Sequence, residues 1–407
     1  MSTWRIRLSL ALNFFVLSIL LNTVGIVISR VIADYSVAGT TAASLEAFKD
    51  LTIAAVSFLL ASYVPRLGYK RTMIGGLIAL TLACMLVATM TGFWVTPVLY
   101  MIVGASFALM KVAVYSTIGL ITKNQQEHTG LLNIIEGIFQ TGAMTGPLIF
   151  AIMIDISRWT NTYWVIAIFS LAALILLWFT RLDEHEIEEH AQEAGLLEML
   201  KLLKYPMVWI FVICAWLYVM IEQSFGTWMP RFHESIFGLS PAAASGFMSI
   251  YFGSIALSRF LAGYLSKRFP WLTIQVTYLA GAFLITLVVV LMTANWEAQS
   301  IERWYNAPPL AFLLAIVGFF IGPVYPTISS IVLSKLEKLH HSAMTGLIII
   351  FSALGGTTGS LIIGRLSDLF STHNAFYFPL VPIALLALIL IPYKKVSDKF
   401  GEEHHTA

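Results

Sequence analysis

Long apolar stretches separated by short polar ones repeat along nearly the whole chain. About twelve are long enough to cross a bilayer as helices. They lie at roughly 8–30, 45–64, 72–92, 97–121, 131–154 and 162–180, then at 207–229, 241–265, 272–293, 309–334, 342–366 and 373–392. The segment from Gly104 to Phe150 shows the design. Two apolar runs join through one polar hinge, Thr122 to Thr129, and two charged residues, Lys111 and Glu136, stand inside the runs. Further on, Gly142 and Gly146 lie four apart on one helix face, a spacing that predicts a neighbouring helix at close approach.

The design returns in the second half. Tyr115-Ser116-Thr117-Ile118 is echoed by Tyr325-Pro326-Thr327-Ile328, and Gly142 to Ile149 by Gly355 to Ile362. Asp155 and Asp368, at outer helix ends and expected in solvent, keep the same offset. The pattern predicts an all-α membrane protein of two pseudo-symmetric six-helix halves, residues 1–180 and 206–393. A cytoplasmic linker, 181–205, joins them and a cytoplasmic tail, 394–407, follows. The linker opens acidic and then places Leu196, Leu197, Leu200 and Leu203 among charges, as a solvated tether or a helix on the membrane surface. Two parallel membrane halves are a transporter plan, with the substrate expected between them near mid-membrane.

Composition narrows the class. Of 407 residues, 58% are hydrophobic and 11% charged, against roughly 25% charged in a soluble domain. The missing charge means that most of the surface faces lipid. The net charge of +2, with basic residues spread among loops, gives no case for nucleic acid. Cys84 and Cys214 lie deep in apolar runs and act as small apolar fillers. The first run is too long for a signal peptide and is expected to remain as an anchor. No phosphate-binding Gly-rich loop is present, and the histidines stand in loops, tails and run ends. His340-His341 and His404-His405 lack further ligands for a metal. We therefore expect no enzyme activity, no cofactor and no metal, with a small molecule, a proton or sodium, and the lipid bilayer as partners.

Basic residues set the orientation. With the N-terminus inside, the inner segments hold Arg5, Arg7, Arg66, Lys70, Arg71, Lys123, Arg181, Lys201 and Lys204, then Lys267, Arg268, Lys335, Lys338, Lys394, Lys395 and Lys399. The outer segments hold Arg30, Arg158, Arg231, Arg303 and Arg365. This asymmetry predicts two cytoplasmic termini and, for a bacterial protein, the inner membrane.

Over almost its whole length the chain resembles the major facilitator superfamily. Arg66-Leu67-Gly68-Tyr69-Lys70-Arg71 is similar to that family's inner-loop motif, and Ala262 to Arg268 is its weaker echo. Within the family the chain resembles the fucose–proton symporter branch. The matching pieces are Leu132-Asn133 with Gly142 and Gly146-Pro147, Tyr325 to Ile328, Gly226-Thr227-Trp228 and Gly25 to Tyr35. The resemblance implies alternating access, a sugar or similar metabolite, and proton coupling, with Arg66, Lys70 and Arg71 as gating or structural residues. One departure matters. That branch carries a glutamate in run four and an aspartate in run one, and here those positions hold Lys111 and Gly25. The family's proton path therefore does not carry over.

Ionisable residues inside spans are functional candidates by default. Counting about 1.5 Å per residue from the inner ends puts Lys111 about 15 Å up, Asp50 and Glu222 about 21–23 Å, Arg259 about 9 Å and Glu136 about 7 Å. Lys111 is nearest the middle. It either holds an anionic group of the substrate, exchanges a salt bridge with Asp50, or forms a fixed ion pair, with Glu136 the alternative partner. Glu46, Lys49 and Asp50 form either an interfacial cluster reaching outward or an outer gate or cavity wall. Arg259 is assigned to inner-end carbonyls or a carboxylate, and Glu136 to a brace or a substrate contact. Glu222, close to Gln223, Ser224 and Thr227, is a candidate for ligand or proton contact. Asn22, Tyr115, Asn133, Gln140, Tyr251, Tyr325 and Trp228 are polar or aromatic candidates for the ligand or for helix-to-helix bonds. A transporter-fold sensor and an exporter of an organic anion are the competing functions.

Overall fold

In lipid a chain must satisfy its own backbone, and a helix does so within one segment. A computed structural model describes residues 3–60, 64–90, 92–121, 125–182, 201–265, 268–336 and 341–405. The described residues are helical almost throughout. The first half holds α1 (Thr3–Asn22), α2 (Val24–Tyr35), α3 (Gly39–Leu60), α4 (Val64–Leu67), α5 (Tyr69–Thr89), α6 (Val95–Ile121), α7 (Gln125–Ile156) and α8 (Thr162–Phe179). The second holds α9 (Pro206–Ser235), α10 (Pro241–Leu265), α11 (Trp271–Met292), α12 (Pro309–Ile321), α13 (Val324–Lys335), α14 (His341–Leu369), α15 (Thr372–Ala375) and α16 (Leu380–His405). Among the described residues the one strand-like pairing is an isolated bridge between Leu239 and Ile301. Among the described residues ten spans are long and apolar enough to cross a membrane.

Each expected run has a helical counterpart, but three are broken, the last of them by a turn at 376–379 between α15 and α16. The first is interrupted at Asn22–Thr23, where Asn22 Nδ2 donates to the Ser18 carbonyl at 2.9 Å and Thr23 Oγ1 to that of Ile19 at 2.8 Å. Side chains that bond back to the preceding turn bend helices. The tenth is interrupted at Gly322-Pro323, where proline lacks the N–H that would continue the ladder. At the C-terminus α16 continues to His405, past the end expected for the last run, with no proline after Pro392 to stop it. The linker over 183–200 and the side chains of Arg66 and Glu136 lie outside the described residues.

The chain divides into two compact units, Met1–Ser36 with Ser44–Ala194, and Val37–Ala43 with Gly195–Ala407. In the first, α1 packs on α7; in the second, α9 packs on α14. The repeated glycines make both contacts. A Cβ on Gly142 would lie 2.6 Å from the Phe15 carbonyl of α1, and one on Gly355 would overlap the Trp216 carbonyl of α9. The two halves thus reuse one close-packing device in equivalent places.

One expected solvent-facing residue also has a structural partner. Asp368 is exposed, yet it does not simply face solvent. Its carboxylate accepts the backbone N–H groups of Gly39 at 2.7 Å and Thr40 at 2.8 Å, all inside the second unit. The first turn of α3 has unpaired N–H groups and a partial positive charge, which a carboxylate satisfies.

Candidate functional site

Three clusters contain the candidate residues, and each lies within one unit. The first is on α3. Glu46, Lys49 and Asp50 share a helix face at i, i+3 and i+4. All three are buried, at 0%, 2% and 5% exposure, and do not reach outward. Lys49 Nζ donates to Glu46 Oε1, stands 3.5 Å from Asp50 Oδ1 and reaches the Leu21 carbonyl of α1 at 3.5 Å. One ammonium thus gathers two carboxylates and the end of a neighbouring helix.

The second cluster surrounds Lys111 on α6. Its ammonium lies 5.3 Å from the Phe107 ring and 5.5 Å from the Tyr115 ring, one helical turn to either side. Tyr115 in turn meets Phe14 of α1 at 5.9 Å between ring centres. Aromatic faces stabilise a cation where carboxylates are not at hand. In this structure Asp50 pairs with Lys49, and no described carboxylate pairs with Lys111. The half-buried lysine stands within a span, between the two rings.

The third cluster belongs to the second unit. Glu222 accepts a hydrogen bond from Tyr218 Oη at 3.1 Å, and its backbone carbonyl accepts one from Tyr251 Oη at 3.1 Å. The Arg259 guanidinium lies 4.0 Å from the same carboxylate, with side-chain exposures of 38% for Arg259 and 26% for Glu222. Arg259 Nε also donates to the Gly322 carbonyl at 3.1 Å, at the break between α12 and α13. Tyr325 stacks on Tyr218 at 5.3 Å between ring centres, and its hydroxyl pairs with Ser352 Oγ at 3.2 Å. A carboxylate, a guanidinium and the Tyr325 ring therefore meet at one partly open place, with the buried Tyr218 ring behind them.

The remaining candidates scatter. Trp228 is fully buried and its indole N–H donates to the Ser360 carbonyl at 3.1 Å, a bond between α9 and α14. Asn22 spends its amide on Ser18 of its own helix. Gln140 is half-buried on α7, and Arg71 is exposed. Lys70 Nζ donates to the Trp178 carbonyl at 3.0 Å, tying the start of α5 to the end of α8. Sequence reasoning missed Tyr218. Its signal was present, because Tyr218 and Glu222 are four apart on one helix, the spacing at which side chains meet. Among the described residues no group of three or more His, Cys, Asp or Glu could hold a metal ion, and both cysteines are buried and free.

A family model described as Major Facilitator Superfamily matches residues 8–301 and 275–405. The glucose/galactose transporter of Brucella abortus is 24% identical over 352 residues, covering 82% of this chain and 80% of its own. The glucose/mannose transporter GlcP of Bacillus subtilis is 26% identical over 310 residues, covering 70% of each chain. Bypass of stop codon protein 6 of Saccharomyces cerevisiae is 22% identical over 311 residues, 70% of this chain and 60% of the yeast protein. Among solved structures, a bacterial homolog of the human lysosomal transporter Spinster, inward-facing and occupied, superposes with a TM-score of 0.76 at 12% identity over 97% of both chains. A D-xylose–proton symporter gives a TM-score of 0.71 at 14% identity, over 95% of this chain and 97% of that one. At such identities the structures speak for the fold alone.

Proposed function

The chain belongs to the Major Facilitator Superfamily, and from that premise we propose that it is an ion-coupled secondary transporter that moves a sugar or related small polar metabolite by alternating access. It is an integral, multi-pass membrane protein of a transporter family, not an enzyme. The observation that carries the substrate class is the Glu222 cluster. A sugar offers a rim of hydroxyls and a face of C–H groups. The half-buried Tyr325, backed by the buried Tyr218 ring, suits the face, while Glu222 and Arg259 suit the rim. Binding sites pair an apolar or aromatic wall with a few placed polar groups in this way. The names of the two bacterial sugar transporters support the same class. The basic inner loops support two cytoplasmic termini and a bacterial inner membrane.

The test is uptake by purified protein in liposomes, with labelled D-glucose and D-galactose as probes. Saturable uptake that falls at least tenfold in Glu222→Gln is expected. Lys111 favours a second reading, export of an organic anion, since an ammonium held by rings can meet a negative group. Flux of anions with none of either sugar would install that reading. Ligand binding without any flux would favour a sensor.

A further inference from the structure

Asp50 lies at the middle of α3 (Gly39–Leu60), and its surroundings leave half of its carboxyl group unserved. Lys49 is hydrogen-bonded to Glu46 Oε1 but stands 3.5 Å from Asp50 Oδ1, longer than a good charge-assisted hydrogen bond. Asp50 Oδ2 is buried and meets no hydrogen-bond donor. A charged oxygen shut away from water with nothing to bond is among the more expensive arrangements in a protein. A proton removes the charge, and with it the need for a second cation. Glu46 is the less suitable place for that proton, because it holds Lys49 directly and makes further interactions besides. The other titratable neighbours are no substitute. Tyr100 on α6 stands beside Glu46, with Tyr163 on α8 and Cys84 on α5 behind it, and none of these is a cation at neutral pH.

We propose that Asp50 binds a proton at Oδ2 in this state and is the site at which the chain loads its coupling proton. Loading turns the carboxylate into a neutral carboxyl and leaves Lys49 to Glu46. Release returns a carboxylate, which then claims a full share of Lys49 and draws the ammonium away from Glu46. Lys49 also touches the Leu21 carbonyl, one residue before Asn22–Thr23, where α1 gives way to α2. Movement of the ammonium between the two carboxylates is therefore felt at a break in the first span. The site lies on α3, not at Lys111 or Gly25, where the proton carriers of the resembling branch would fall. It rests on the ion-coupled reading only for what the proton is used for, and its presence is tested without any substrate.

The experiment is infrared spectroscopy of the whole protein in liposomes across neutral and alkaline pH. A protonated carboxyl has a carbonyl stretching band that a carboxylate lacks. The expected result is such a band at neutral pH that disappears at alkaline pH, is lost in Asp50→Asn and is shifted in Asp50→Glu. Isotope-labelled aspartate in the wild type should shift the same band, which separates Asp50 from Glu46 even if both variants fail to fold. Absence of the band in the wild type overturns the proposal, as does a band that survives Asp50→Asn or ignores labelled aspartate. A band abolished by sodium at constant neutral pH would also overturn it, by showing that the site exchanges its proton for a metal cation. Failure of the sugars in the uptake assay leaves these outcomes untouched, so the two readings fail separately.

Discussion

Asp368 and Gly39 are 329 residues apart in sequence, yet the Asp368 carboxylate accepts the Gly39 N–H at 2.7 Å. The bond caps the first turn of α3, with Thr40 donating both N–H and hydroxyl to the second oxygen. Loss of a helix N-cap costs about 1 kcal/mol. Asp368→Ala should therefore lower the melting temperature, read by intrinsic fluorescence in detergent. Asp368→Asn, which keeps an acceptor, should lower it less. Equal melting for both variants and the wild type would mean that the bond has no energetic role.

Gly355 and Gly142 should tolerate no side chain. A Cβ at either would run into the backbone carbonyl of the helix packed against it, Trp216 or Phe15. Gly355→Val and Gly142→Val are expected to abolish monodisperse protein on size-exclusion chromatography. Gly75 on α5 has nothing within 4 Å of a built Cβ, so Gly75→Ala serves as the control. It should match or exceed wild-type stability, since alanine is favoured over glycine inside a helix by about 1 kcal/mol.

Lys111 is held by rings, and a cation–π contact at a partly open site is worth about 0.5–1 kcal/mol. Lys111→Gln and Lys111→Ala should accordingly stay folded, with melting temperatures near that of the wild type. Uptake should fall in both, and more steeply in Lys111→Glu. Wild-type binding and uptake in all three variants would remove Lys111 from the substrate and coupling machinery.

Tyr218→Phe removes one hydrogen bond to Glu222 while keeping the stacked pair with Tyr325. A neutral–charged hydrogen bond of about 1.5–3 kcal/mol corresponds to roughly a tenfold loss or more. Substrate affinity in the uptake assay should fall by about that factor. Tyr325→Ala, which deletes a ring, should cost at least as much. An unchanged affinity in both would take the substrate away from this cluster.

Topology has a direct check. A reporter active only outside the cytoplasm, fused after Lys395, is expected to be silent, because the basic inner loops keep that end inside. Activity there would reverse the orientation.

Much of the molecule is written locally and could be read without coordinates. Apolar length marks the spans, because a bilayer demands it. The glycines at 142 and 355 announce close helix contacts, because only a missing side chain permits them. Lys111 and Glu222 stand out because charge in an apolar run is rare. Partners are another matter. The sequence suggested Lys111 for Asp50 by depth, since the difference in height is within reach of a lysine stem. The flexible stem of Lys49 nevertheless brings its ammonium to 3.5 Å from Asp50. Trp228 reads in the sequence as a candidate for the ligand, and only the approach of α14 buries it against Ser360. Asp368 is exposed as expected, but its partner at the start of α3 could not be read locally. Periodicity and composition record what one helix requires of its surroundings. Which helix supplies it depends on packing between segments hundreds of residues apart, and that is decided only in the tertiary structure.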